Sequence, residues 1–172
     1  GSTLIVPRSA RVQEDVAAAV ANTGHLSLAP EIVTRRTVVK AGRNDNVISI
    51  NGSMQVDLFG QCGSESQGFK PYSGTGGQTD FVRAANRSRG GKSFIVLPST
   101  AKDDTISRIA PVLSPGTHVS TSKNDVNYVV TEHGVAQLRG KTAKERARAL
   151  IGIAHPRFRD ELTEAARKMK LL

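Results

Sequence analysis

The sequence has no tryptophan, one cysteine and few rings of any kind, with aromatics at 4% of 172 residues. The lone cysteine, Cys62, excludes an intramolecular disulfide framework and a cysteine-based zinc site within one chain. Such sparse cysteine usage fits a reducing cytoplasm. No apolar run approaches the roughly 18 residues needed to cross a bilayer, and no charged-then-apolar leader precedes a cleavage site. A soluble protein without membrane association is expected. Repeats and low-complexity linkers are also absent. The opening Gly1-Ser2-Thr3 has no initiator methionine, which suggests a fragment of a longer protein.

Acidic residues are scarce beside basic ones: 15 Asp and Glu stand against 24 Lys and Arg, for a net charge of +9. The excess is spread along the chain, with 11 basic against 7 acidic residues in 1–100 and 13 against 8 in 101–172. A nucleic-acid binder more often concentrates positive charge in a patch and adds aromatics on which bases stack. No nucleic-acid partner is therefore expected. A polyanionic small molecule such as a nucleotide cofactor fits the charge, as does a plain arginine-rich solvated surface.

Hydrophobic residues at 38% of a chain this long suffice for one buried core, so residues 1–172 are expected to form a single domain. "STLIVPR" is a short apolar run. "SARVQEDVAAAVANTG" has Ser9 as N-cap, helical spacing of Val12, Val16 and Val20, and a stop at Gly24. "NVISING" and "SMQVDLFG" are predicted strands, the second alternating Met54, Val56 and Leu58 with Gln55, Asp57 and Phe59. "TDFVRAANRS" makes a short helix, and "GGKSFIVLPST" an apolar strand ended by Pro98. "ISRIAPVL", "THVSTS" and "NYVVTEHG" supply further predicted strands. "TAKERARALIGIA" carries a capping-box spacing between Thr142 and Glu145. His155-Pro156 breaks that helix, and "PRFRDELTEAARKMKLL" starts another. Strands and helices alternate, which predicts an α/β fold: an open, mostly parallel sheet with helices on its faces.

One stretch invites chemistry. In "SGTGGQTDF", Gly74, Gly76 and Gly77 precede a helix start at Thr79-Asp80, so several backbone N–H groups can converge on one spot with no Cβ in the way. That is the geometry of an anion or oxyanion site. It is neither a Walker loop, since no Gly-Lys-Ser/Thr follows, nor a dinucleotide G-x-G-x-x-G. Taken by itself, a glycine-rich turn is more often a plain turn.

"NGSMQVDLFGQCGSESQG", "SGTGGQTDFVRAA", "GGKSFIVLPSTAKDDTISRIAPVL" and "NDVNYVVTEHGVAQLRGKTAKERARALIGIAHPRFRDEL" together resemble, in order and spacing, the C-terminal domain of the acetyl-CoA hydrolase/transferase family. The resemblance runs from about residue 29 to residue 162. It implies a family I CoA-transferase of NagB/RpiA-like fold, two similar α/β domains facing each other across a cleft. Its chemistry starts when a glutamate attacks an acyl-CoA thioester. CoA then opens the acyl-glutamyl anhydride to give a glutamyl-CoA thioester, and a small carboxylic acid takes the CoA; water in its place gives hydrolysis. Coenzyme A is thus the implied substrate, with no permanently bound cofactor and no metal. Acyl-CoA, a carboxylic acid and an N-terminal domain are the implied partners, with a homo-oligomer possible.

Carried onto this sequence, the resemblance places Gly76 and Gly77 against the thioester and its oxyanion, with Gly74 as hinge. Asn51 and Ser53, around Gly52, are carried over as a second wall of the same ligand site. The family's reactive glutamate lies in a segment reading roughly Gly-x-His-x-Glu, and no such segment occurs here. His25 in "TGHLSLAPEIV" has only Glu31 nearby, beyond a proline. The nucleophile and the N-terminal domain are therefore expected upstream, and the chain alone is expected to be inactive.

The remaining polar residues have plainer readings. Glu65, on a glycine-rich loop, is a candidate carboxylate nucleophile, but relatives with a similar acid keep their nucleophile elsewhere. Glu132 ends a strand and reads as a structural acceptor or a helix-start acid. His118, His133 and His155 are far apart in sequence and read as surface or core histidines. Asp80 caps or charges a helix start, and Ser73 lacks the G-x-S-x-G elbow of a hydrolase serine. Gln55 stands where relatives often carry Glu, His133 where Tyr is usual, and Ala84-Ala85 where "R-G-A" is common. A CoA- or nucleotide-binding module without chemistry and a basic RNA-binding domain remain the alternatives.

Overall fold

The computed structural model describes residues 3–5, 27–28 and 43–172. The helix expected over residues 9–24 lies outside them, as does most of "STLIVPR". The main sheet has six strands: β1 (Thr3–Ile5), β2 (Ser27–Leu28), β3 (Ile48–Gly52), β8 (Lys92–Val96), β12 (Tyr128–Thr131) and β13 (Gly134–Gln137), in the order β13-β12-β8-β3-β1-β2. All neighbours pair in parallel except β12 and β13, which form an antiparallel hairpin across the two-residue turn Glu132-His133. The mostly parallel α/β sheet expected from the alternating pattern is thus present. Strand β13 was not foreseen, because "GVAQL" is short and follows directly on a strand with no Gly-Asn or Asp-Gly turn signal.

Register divides the sheet cleanly into two faces. Asn51 opposes Ile95, Ser49 opposes Ser93, Ile95 opposes Val129 and Val129 opposes Ala136, so these residues share one side. All of them are buried. Helix α1 (Gln78–Arg87) lies there, its Asn86 Oδ1 accepting from Ser93 Oγ at 3.0 Å. Helix α2 (Ala143–Ile153) lies there too, since the Thr131 hydroxyl donates to the Ile153 carbonyl at 2.6 Å. On the opposite face Ile50 and Val130 are buried, Ile48, Phe94, Val96 and Tyr128 are half-buried, and Val135 is exposed. Helix α3 (Arg159–Lys168), entered through a single 3₁₀ turn with Pro156 at its start, buries Leu162 and Ala166. The foreseen capping box is intact: Glu145 N donates to Thr142 Oγ1, and Thr142 N to Glu145 Oε2 at 2.8 Å.

Both long crossovers, β3 to α1 and β8 to β12, leave from the carboxyl edge of the parallel strands. There they fold into a small β lobe. Its three-stranded sheet joins β4 (Gln55–Asp57), β5 (Cys62–Gly63) and β11 (Ile109–Ala110). Two ribbons flank it, β6 (Ser66–Gln67) with β7 (Lys70–Pro71), and β9 (Thr100–Ala101) with β10 (Ile106–Ser107). One cluster of buried side chains, including Val56, Leu58, Ile109, Ile95, Val129, Val82, Leu150 and Leu162, runs through lobe, sheet and helices.

Three strand expectations in the lobe are corrected. "ISRIAPVL" splits at Arg108, whose N–H donates to Ser99 O and whose carbonyl accepts from Val56 N, so the chain changes sheets there. "THVSTS" is no strand; its backbone forms one isolated bridge, between Thr121 and Cys62. "SMQVDLFG" does not alternate: Gln55, Val56, Asp57 and Leu58 are all buried, because lobe and sheet cover both sides. That strand ends where the Asp57 carboxylate accepts the N–H groups of Phe59 (3.0 Å) and Gln61 (2.9 Å), with the Gln61 amide on its other oxygen at 2.7 Å.

Burial pushes the Asp57 carboxyl above its ordinary range, offset only in part by the Gln61 amide and the backbone donors. A carboxyl raised in the folded state contributes stability that is complete below its unfolded pKa and is lost as pH rises through the folded value. Asp57→Asn keeps an acceptor for both N–H groups, and the Gln61 amide can turn to meet the new NH₂. It is expected to match or exceed the parent in stability at pH 7, with the difference closing as pH falls towards 4. Asp57→Ala orphans the donors and should lose about 1–3 kcal/mol. Urea titrations of all three proteins across this pH range check both outcomes.

Candidate functional site

Chain direction fixes where the site lies. Along the sheet, β2 and β3 stand on opposite sides of β1, so the connection order reverses between β1 and β3. In open α/β sheets, ligands bind outside the carboxyl ends of the strands at such a reversal. Asn51, Gly52 and Ser53 occupy the carboxyl end of β3, beside it. Helix α1 runs antiparallel to β3, since Ser88 at its C-terminal end accepts from Val47 N at 3.1 Å, at the amino end of that strand. Its N-terminus, with the glycine loop before it, therefore sits at the same carboxyl edge.

A hydrogen-bonded chain joins the two sets of expected residues. Ser53 Oγ lies 3.2 Å from Ser64 Oγ. Ser64 N donates to Ser120 Oγ at 3.0 Å, and Ser120 Oγ donates to Glu65 Oε2 at 3.0 Å. Thr75, between Gly74 and Gly76, donates to Glu65 Oε1 over a long 3.4 Å. The first turn of α1 is held by the same segment: Thr79 Oγ1 donates to Ser120 O, and Gln78 Nε2 to Thr121 Oγ1 at 3.0 Å. Asn51, Ser53 and the glycine loop thus belong to one edge of the molecule.

Their exposures differ, however. Asn51 is 4% exposed and its amide is spent on Ser49 Oγ at 2.8 Å; Ser53 is 8% exposed and donates to the carbonyls of Gln55 and Gly63. Gly74, Gly76 and Gly77 are exposed. A Cβ at Gly74 or Gly76 would meet nothing within 4 Å, whereas one at Gly77 would touch the Phe81 ring at 3.0 Å. Gly76 has φ +61°, a left-handed conformation that side chains resist.

Helix α1 begins one residue before the foreseen Thr79-Asp80 start, at Gln78, with Gly77 as N-cap and no side-chain cap. Asp80 therefore does not cap; it places negative charge in the first turn. No side chain caps the first turn of α1, and the exposed Gly74 and Gly76 lie just before it in the chain, where an added Cβ would meet nothing within 4 Å.

The carboxylates are committed to donors. Glu65 keeps 12% of its side-chain exposure and also meets His118 Nδ1 at 3.5 Å. Glu132, in the β12–β13 turn, takes Ser99 N at 2.9 Å on Oε2, with the Ser99 hydroxyl on Oε1. Burial alone would raise the Glu132 carboxyl; the Ser99 hydroxyl and backbone N–H donors, with His133, outweigh it and hold the group below its usual range. Glu132 is the structural acceptor expected of it, tying the end of β8 to the hairpin. His133 and His155, distant in sequence, stand edge to face with ring centroids 5.3 Å apart. Burial, reinforced by the nearby Asp57, pushes the Cys62 thiol up. Ser64, Ser120 and Thr121 were missed as members of this edge. "THVSTS" places no signal in the sequence that its hydroxyls turn toward a loop more than 40 residues earlier.

Residues 14–166 match the family model described as the acetyl-CoA hydrolase/transferase C-terminal domain. The chain belongs to this family. A succinyl-CoA:cyclohexane-1-carboxylate CoA transferase of Geobacter metallireducens is 67% identical over 128 residues, 74% of this chain and 29% of that protein. A 4-hydroxybutyrate coenzyme A transferase of Clostridium kluyveri is 58% identical over 126 residues, again 29% of its length. Among solved structures, RipA from Yersinia pestis superposes with a TM-score of 0.73 at 44% identity, covering 87% of this chain and 34% of that one. The chain therefore spans less than a third of the length of these curated relatives. The mixed α/β domain with a mostly parallel sheet is the architecture it shares with members of the family.

Conformation separates the two open glycines. Gly76→Val forces a β-branched residue to positive φ and is expected to destabilise the domain by about 1–2 kcal/mol. Gly74→Val, with a permitted φ and open space around it, should change stability by less than about 0.5 kcal/mol. Chemical denaturation of both variants measures the difference.

Proposed function

We propose that this chain is the C-terminal part of a CoA-transferase, which moves CoA between an acyl-CoA thioester and a small carboxylic acid, and that it supplies the wall binding the thioester and its oxyanion. The observation that carries the proposal is the uncapped first turn of α1, preceded in the chain by the open, exposed Gly74 and Gly76, at the carboxyl edge beside the sheet's reversal point. The CoA-transferase names of its similar relatives support it.

Each step the proposed reaction requires passes through a tetrahedral oxyanion. A glutamate carboxylate adds to the thioester carbonyl, CoA thiolate leaves, and an acyl-glutamyl anhydride forms. The thiolate then attacks the glutamyl carbonyl, releasing the acyl group as a carboxylate and leaving glutamyl-CoA. The acceptor carboxylate reverses the sequence; water in its place hydrolyses the thioester. Preorganised backbone donors stabilise each oxyanion by about 3 kcal/mol per donor in a dry site. Here the donors are the N–H groups around Gly76 and Gly77, fixed by the helix start.

The glutamate nucleophile belongs, in this reading, to an N-terminal domain that closes over the edge formed by Asn51, Ser53 and the glycine loop. Glu65 and Glu132 are poor nucleophiles because hydroxyl and N–H donors already occupy their oxygens. Coenzyme A acts as substrate, and a cytoplasmic setting, with the possibility of a homo-oligomer, completes the proposal.

In the intact protein, Gly74→Val should lower turnover at least about tenfold while leaving the melting temperature nearly unchanged, because the new side chain fills space meant for the ligand. The chain alone, incubated with acetyl-CoA and then hydroxylamine or borohydride, should yield no modified glutamate by mass spectrometry. Modification at Glu65 or Glu132, with turnover lost on Glu→Gln at that position, would place the nucleophile in this chain instead.

A further inference from the structure

Glu65 holds the glycine loop in two places at once. Its carbonyl accepts the N–H groups of Tyr72 at 2.8 Å and Ser73 at 3.2 Å, where the loop begins. Its carboxylate takes Thr75 Oγ1 at 3.4 Å, in the middle of the loop. The same carboxylate reaches across to Ser120 Oγ at 3.0 Å and His118 Nδ1 at 3.5 Å. Segment 118–121 in turn grips the first turn of α1 through Thr79 and Gln78. Among the described residues, the Thr75 contact is the one side-chain hydrogen bond from residues 72–77 to a residue outside them, for Ser73 Oγ bonds within the loop to Gly74 O. Through Glu65, loop and helix start share one frame.

We propose that Glu65 is a positioning residue that sets the glycine loop against the N-terminus of α1, so that backbone donors from both meet at one oxyanion. The inference rests on the function proposed above. Its physical content is distance: donors act on the transition state only when held at hydrogen-bond length, and a misplacement of about 1 Å can cost on the order of 10²-fold in rate. Glu65 does not touch the reacting atoms. Its work is to hold Thr75 and the backbone beside it.

The test uses the intact protein and steady-state kinetics with acetyl-CoA and a small carboxylic acid as CoA acceptor. Glu65→Ala should lower kcat about tenfold or more while KM for acetyl-CoA changes less than about threefold, because the donors act on the transition state more than on the bound substrate. Glu65→Gln keeps an acceptor for a hydroxyl and should recover most of that turnover. Combined with Gly74→Val, Glu65→Ala should cost less than the product of the two single losses, since both act on one loop. Unchanged kcat in Glu65→Ala, where Gly74→Val is impaired, would overturn the positioning role and leave the loop's function standing. Full turnover in Gly74→Val would instead remove the proposed function itself. Turnover abolished by Glu65→Gln would make the carboxylate a reacting group and overturn positioning. Should Glu65→Ala fail to fold, Thr75→Val, an exposed change, is expected to lower kcat at least threefold; unchanged kcat there also overturns the proposal.

Discussion

Parallel pairing of β3 with β8, and of β8 with β12, is the constraint from which the rest of the molecule follows. Parallel neighbours cannot be joined by a tight turn, so each connection must leave at the carboxyl edge and cross back over the sheet. Here both connections pause at that edge before crossing. They build the β lobe from short strands, and the irregular backbone, the hydroxyl network and the helix start gather in one place. Among the described residues, the opposite edge receives the end of α1, where Val47 N donates to Ser88.

The lobe is stabilised in a way suited to that position. Its three-stranded sheet is only two or three residues long per strand. Side chains therefore replace missing ladder bonds: Asp57 closes the turn after β4, Ser120 links Ser64 to Glu65, and Gln55 Oε1 accepts from Ser114 N at 2.9 Å. Arg146, on α2, adds a clasp by donating to the Phe59 carbonyl at 3.2 Å and to the Lys123 carbonyl at 2.6 Å. Burial pulls its guanidinium pKa down, and the partners it has among the described residues are carbonyl dipoles rather than charges.

Long elements were legible in the sequence and short ones were not. Periodicity marked β3, β8, α1, α2 and the hairpin's first strand, and the capping-box spacing marked where α2 starts. In the lobe the strand at β4 was foreseen, but its alternation of Met54, Val56 and Leu58 with Gln55, Asp57 and Phe59 implied a face exposed to water, and around Val56 both faces are covered. "THVSTS" has strand-like residues, yet its polar groups find partners across the lobe at Cys62, Ser64 and Glu65, information that lies in the fold and not in the segment. The glycine loop was legible as a loop. That Gly76 answers to its own backbone angle, while Gly74 answers to open space, required coordinates.

Cys62 gives this chain a built-in clock. The only thiol in 172 residues sits fully buried between β4 and the segment bridged at Thr121, with its ionisation suppressed. A thiol reagent reaches it only when the lobe opens around β5. Alkylation under native conditions therefore times the opening of the same lobe that carries Glu65 and the glycine loop, and a ligand seated on that edge would slow it.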